Sequence, residues 1–332
     1  MPVIQPSEKL RQAIKKDRSE LKEISLNSYI VSLRSLFKRL NPGNDLTIPI
    51  NTSFLKDKNK IMKDVEGQEK LTTKKNILTS VLVGLSSDRP KNDSLIDYYQ
   101  AKLKDLSVKY SNWTEKQEKS DTQESNWISY DKFTEIINEL LKDVKQRELT
   151  KKETLTRAEY TLLQKYVILS FYKVFPLRND IADTAVLTQK EYDDIDDDVK
   201  SKNNYFTIDN KKYKLYLNQF KNVKRIGVKS YDIPDKLAKI VKLWLKHNKS
   251  GWLFTLNNAR DPLSPNGVTK LLNSIFSKAV DKKISSSMLR HISISHKMKG
   301  EPSLIEKKKE EKEVEDKYMH SMSVHEGYRK LD

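Results

Sequence analysis

Between Trp113 and Trp127 the chain offers almost nothing to bury; the intervening residues are Glu, Lys, Gln, Ser, Asp, Thr and Asn. Such a stretch cannot be the interior of a packed unit and reads as an interdomain linker. It imposes two separate hydrophobic cores, and 332 residues are enough to build both. The expected organisation is a basic flexible arm over 1–24, a helical unit over 25–112, the linker over 113–127 and a second domain over 128–332.

Helical periodicity dominates the first block. Leu26, Ile30, Leu33, Phe37 and Leu40 recur at helical spacing after Ser25, and Asn41-Pro42-Gly43 stops the pattern. Arg34, Lys38 and Arg39 fall on or beside the polar side of that helix. A second helix begins near Thr72-Thr73-Lys74-Lys75-Asn76 and runs through Leu85, and a third spans about Ser94 to Tyr110. Lys74, Lys75 and Asn76 are residue types that contact phosphates, as are Arg34 and Lys38.

The second block is also mainly helical. Apolar spacing predicts a helix over Tyr130–Arg147, and Thr156-x-x-Glu159 has the form of a capping box opening another that Pro176 ends. The β-rich stretch is short: Tyr205–Ile208 and Tyr213–Leu217 flank a turn at Asp209–Lys212, and Gly227–Ile233 adds a third strand. Helices resume over Pro234–Asn248, Ser264–Ala279 and Ser285–Lys299, with a Lys- and Glu-rich solvated helix from Ser303 to Lys317. The expected class is mainly α with a small antiparallel β-sheet, α+β.

Charge narrows the partner. Lys and Arg number 63 against 46 Asp and Glu, a net +17, which points to a polyanion, with nucleic acid the commonest choice. The chain has no cysteine, which excludes disulfides, Cys-ligated zinc and thiol catalysis. Its 5 histidines show no metal-ligand spacing, and with 8 glycines there is no phosphate-cradling loop, so neither a metal nor ATP nor any other cofactor is expected. No apolar run reaches membrane-spanning length and the N-terminus is too polar for a signal peptide. A soluble intracellular protein is expected.

Three motifs stand in order in the second block. The first is Phe175-Pro176-Leu177-Arg178-Asn179-Asp180, an arginine after a buried helix and a turn. The second is Ser287-Met288-Leu289-Arg290-His291. The third is Met319-His320-Ser321, followed eight residues after the histidine by Tyr328. Singly each says little: a surface arginine ordinarily meets a carboxylate, and the chain has 15 tyrosines. Arg290 is odder, because it sits among Met288, Leu289, Ile292 and Ile294, where burial is costly unless an anion meets it.

Together these motifs resemble those of the tyrosine recombinase (phage integrase) family over roughly residues 127–332, and the helical block ahead resembles that family's core-binding domain. The resemblance implies metal- and ATP-independent breaking and rejoining of DNA strands. In it, Arg178 and Arg290 hold the scissile phosphate, His320 and Ser287 hydrogen-bond it, and Tyr328 is the nucleophile of a 3′-phosphotyrosyl link. The general acid is a lysine in the turn after the first arginine, Lys221, with Lys224 as the alternative. Many relatives carry histidine at the Ser287 position; a serine can hydrogen-bond a phosphate oxygen but supplies no cation. The implied partners are double-stranded DNA, gripped between the two domains, and further copies of the chain, as a tetramer on DNA. Only four residues follow Tyr328, which leaves little to exchange between subunits. Two other readings share these features: a type IB topoisomerase-like enzyme, and a catalytically silent DNA-binding protein of the same fold. The Lys, Asn and Ile bias suits an AT-rich mobile element or virus.

Overall fold

The computed structural model describes residues 7–43, 52–87, 91–256 and 259–318, with side chains as far as 313. The chain divides into two compact units, residues 1–118 with 302–332, and residues 119–301. Among the described residues no helix is long and apolar enough to cross a membrane.

The first unit is helical: α1 (Glu8–Asp17), α2 (Glu23–Leu40), α3 (Lys58–Glu66), α4 (Leu71–Ser86) and α5 (Asp93–Glu115), joined near the chain end by α15 (Leu304–Tyr318). Helix α4 is central and packs against the other four N-terminal helices. Its Gly84 leaves room for two core leucines, since a Cβ there would stand 2.8 Å from Leu55 Cδ1 and 3.3 Å from Leu33 Cδ1. Leu26, Ile30, Leu33 and Leu36 of α2 are buried in this core. Arg39 ties α2 to α3 through two hydrogen bonds to Asp64, at 2.7 and 2.8 Å.

The segment expected to be a flexible arm contains α1. Leu10 and Ile14, one helical turn apart, are buried in the core, while Arg11 and Lys15 on the same helix pair with Glu23. Two large apolar residues in a charged stretch are too few to announce a helix, but enough to dock one. The expected linker is also structured: α5 continues through Trp113, and α6 (Asp121–Asn126) opens with a Ser120/Gln123 capping box. Helix α15 groups with the first unit, where Lys308 pairs with Glu115 at 2.7 Å and Leu304 N–H donates to Gln117 Oε1 at 2.8 Å.

The second unit is built on α7 (Tyr130–Gln146), α8 (Arg157–Val174), α12 (Asp235–His247), α13 (Pro265–Val280) and α14 (Ser286–Lys297). Helix α8 is buried on nearly all sides, including Leu163, Val167, Phe171 and Tyr172, and it starts with the Thr156/Glu159 capping box. The sheet has four strands in the order β1-β2-β3-β4: β1 (Ala185–Thr188), β2 (Tyr205–Asp209), β3 (Lys212–Leu217) and β4 (Lys229–Asp232). Its last three strands are antiparallel, as the hairpin pattern predicts, with Asn210 at φ 52° in the turn between β2 and β3. Strand β1 runs parallel to β2, so the sheet is mixed rather than purely antiparallel. Four residues, Ala-Val-Leu-Thr, carry too little alternation to be read as a strand. The parallel crossover holds two short helices, α9 (Gln189–Asp193) and α10 (Asp197–Lys200), and α11 (Val223–Ile226) lies between β3 and β4.

Candidate active site and nucleic-acid interface

Helix α8 ends because Pro176 cannot continue it, and the chain turns through Leu177 into Arg178 and the short 3-10 turn Asn179–Ile181. Three contacts hold this turn. The Tyr172 hydroxyl, on the last turn of α8, donates to the Arg178 carbonyl at 3.2 Å. Asn179 Nδ2 donates to the Pro265 carbonyl at 2.7 Å and to Thr269 Oγ1 at 2.9 Å, which fixes the turn to the start of α13.

Helix α14 approaches the same place. Ser285, Ser286 and Ser287 meet three different fates: Ser285 caps the helix, Ser286 is buried near the Tyr172 hydroxyl, and Ser287 is exposed. Arg290 follows Ser286 by four residues and shares its face. Its Nε donates to the Pro176 carbonyl at 2.9 Å, a contact across 114 positions of sequence.

The two predicted arginines are thus brought together. Burial pushes the Arg290 guanidinium below its usual pKa, and the positive charge of Arg178 adds to that shift, against opposing pulls from Asp180 and Tyr172. Asp180 is the local carboxylate, and burial raises its pKa despite both arginines. Tyr172, deeply buried, has its hydroxyl pushed well up by desolvation. Asp180 lies within electrostatic range of both guanidinium groups but forms a salt bridge with neither, so the two positive charges remain available to an incoming anion.

Lys221 sits in the turn between β3 and β4, exposed and without a hydrogen-bond or ion-pair partner among the described residues, beside Phe220, which packs against the core. Lys224 is exposed on α11. His320 and Tyr328 lie outside the described residues. Sequence reasoning missed Tyr172, Asn179, Asp180 and Ser286, the residues that hold the arginines in place. A tyrosine on a helix otherwise apolar on nearly every side was the available signal, since its buried hydroxyl needs a partner. Among the described residues no group of His, Asp or Glu side chains converges as metal ligands.

In the first unit, α2 and α4 border a groove of about 500 Å³ lined by Ser28, Ser32, Ser35, Thr73, Asn76 and Ser80 among others. Of the predicted DNA-contacting residues, Asn76 lies in this groove, while Arg34 and Lys38 stand on α2, half-buried and exposed. Lys74 and Lys75 are more engaged: Lys74 Nζ donates to the Glu66 carbonyl at 3.0 Å, and Lys75 Nζ lies 4.6 Å from the centre of the Tyr110 ring.

No family model matches the chain, and no curated protein matches it. Among solved structures it is similar to the XerH site-specific recombinase bound to difH substrate in a pre-cleavage complex. The identity is 15%, the TM-score 0.43, and the match covers 98% of this chain and 81% of that chain. Values of that size leave the reading of the site to its own geometry.

Proposed function

We propose that this protein binds double-stranded DNA and cuts and rejoins its strands through a covalent tyrosine intermediate, as a site-specific recombinase. The observation that carries the proposal is that Arg290, hydrogen-bonded through Nε to the Pro176 carbonyl, meets Arg178 at the end of α8, with Asp180 the nearby carboxylate. That arrangement suits a phosphodiester, whose non-bridging oxygens two forked donors can hold while charge builds at phosphorus.

In the proposed reaction Tyr328 Oη attacks phosphorus and gives up its proton to solvent as the O–P bond forms. The bond from phosphorus to the 5′ oxygen breaks, and Lys221 donates a proton to that oxygen. The 3′-phosphotyrosyl ester conserves the bond energy, so a 5′ hydroxyl from another strand can reverse the step. Ser287, exposed at the start of α14, and His320 hydrogen-bond the phosphate. The first unit supplies sequence-independent grip through Arg34, Lys38, Lys74, Lys75 and Asn76, contacts of the kind made to phosphate and sugar. The protein acts as a homo-oligomer on DNA.

A duplex nicked next to the cleavage point tests the reading, because the departing fragment diffuses away and traps the covalent species. A denaturation-resistant adduct should form with the wild type and vanish with Tyr328→Phe. Tight binding to that duplex with no adduct from the wild type would make the protein a silent DNA-binding protein.

A further inference from the structure

In the second unit an open groove of about 830 Å³ lies between α7, the start of α8 and the end of α13. Its floor is apolar, formed by Ile136, Leu140, Leu162 and Ile275. Around the floor stand four cations, Arg147, Arg157, Lys165 and Lys278, against two carboxylates, Glu139 and Asp143. Lys165 is half-buried, and its pKa is lowered first by burial and then by the charge of Lys278. Among the described residues none of the four cations forms an ion pair. Like charges set side by side above apolar surface carry a cost that a bound anionic group removes. The groove is also separate from Arg178: its α8 residues run from Arg157 to Lys165, and Lys165 is still nine residues, about 14 Å of helix at ~1.5 Å per residue, from the end of α8.

The same unit displays a surface of opposite character. Asp193, Asp194, Asp196, Asp197 and Asp198 are all exposed across α9, α10 and the turn between them. Among them Ile195 is half-exposed and Val199 is 47% exposed, four residues apart. This is an acidic knob with two apolar points, the complement of an apolar floor with a basic rim. The residues lining the groove come from α7, α8 and α13, so knob and groove are separate patches of one chain.

We propose that the two surfaces meet between copies of this chain, with the Asp193–Val199 knob of one copy seated in the α7/α8/α13 groove of the next. Ile195 and Val199 rest on the apolar floor, and Asp196 and Asp198 face Lys165 and Lys278. Because the two patches differ, the contact is head-to-tail, and successive copies close into a ring or extend as an open chain. The interface depends on charge complementarity and weakens as salt rises. It does not depend on the strand-cutting reading.

The chain has no cysteine, so an engineered pair reports this contact alone. Full-length Asp196→Cys and Lys278→Cys variants, mixed and mildly oxidised, should form an intermolecular disulfide much faster than either alone at ~50 mM salt and lose that advantage at ~500 mM. Lys239→Cys, exposed on α12, replaces either partner as the control. In sedimentation velocity, the Lys165→Glu/Lys278→Glu variant and the Asp196→Lys/Asp198→Lys variant should each lose self-association, and an equimolar mixture of the two should regain it. Cross-linking no faster than the control, or unchanged association after reversal of the groove charges, would overturn the proposal. So would a groove variant that loses affinity for duplex DNA while associating as the wild type does, which would make the groove a nucleic-acid surface.

Discussion

Replacement of Arg290 by methionine separates a functional arginine from a structural one. Methionine keeps the length and the apolar stem but removes the charge. Three local contributions change with it. The hydrogen bond from Nε to the Pro176 carbonyl is lost, at a cost of about 1 kcal/mol. The repulsion from Arg178 and the attraction to Asp180 disappear together, and at half-exposed sites each is worth about 0–1 kcal/mol, so they largely cancel. The desolvation that lowers the Arg290 pKa is relieved, a gain of the same order as the lost hydrogen bond. Folding stability should therefore stay within about 1 kcal/mol of the wild type. Activity should not. Removing one oxyanion donor from a catalytic site costs about 10²- to 10³-fold, and a guanidinium contributes two, so adduct formation on a nicked duplex should fall by about 10³-fold or more. Urea denaturation and the adduct rate, measured on the same preparation, decide the matter. A loss of about 3 kcal/mol or more would make Arg290 a structural cation whose removal strands a buried partner, and an adduct rate within about tenfold of wild type would remove it from the phosphate clamp.

Gly84→Ala should destabilise the first unit by about 1 kcal/mol, because overpacking against Leu55 and Leu33 outweighs the helix-propensity gain; a rise in the urea midpoint would contradict the close approach. Arg34→Ala and Lys38→Ala should each weaken binding evenly across DNA sequences and reduce the slope of log K against log salt by about 0.9; an unchanged slope removes that residue from the phosphate contacts. Glu159 has its pKa drawn down to about 2, first by its hydrogen bond to Lys152 and then by the Thr156 backbone N–H. A depressed carboxylate stabilises the fold above its unfolded pKa and loses that contribution as pH falls through the folded value. The wild type should therefore lose stability relative to Glu159→Gln between pH 4.5 and about 2, and parallel urea midpoints across that window would refute the assignment.

The helices that carry a full apolar stripe were legible in the sequence almost to the residue. The stretch Tyr130–Arg147 forms a helix over Tyr130–Gln146, and the Thr156 capping box opens α8 as its spacing predicts. What was missed is small and docked by few contacts. Helix α1 rests on Leu10 and Ile14, β1 has four residues, and α9, α10 and α11 have five or fewer each. Such pieces gain little from local propensity and form only because a neighbour receives them, information that no window of sequence holds. The site divides the same way. Arg178 and Arg290 were legible because their local patterns are unusual. Tyr172, Asn179 and Ser286 were not, because their roles exist only once α8, α13 and α14 meet.

Where the cost of the arginine pair falls is itself informative. A chain selected for stability alone would not place two guanidinium groups beside one carboxylate that burial already holds above its ordinary pKa. That placement is unfavourable or neutral for folding, and Arg178, Arg290 and Asp180 converge at one helix end, on a turn that the Tyr172 hydroxyl holds. Elsewhere among the described residues Arg39 pairs with Asp64 and Lys152 with Glu159, and where two cations do meet one carboxylate, Arg11 and Lys15 on Glu23, that carboxylate is exposed and ion-paired to both. An unbalanced and partly desolvated charge, rigidly held, is what preorganisation for an anion requires. The imbalance at the end of α8, more than the motif that led to it, is the physical reason to assign the chemistry to that place.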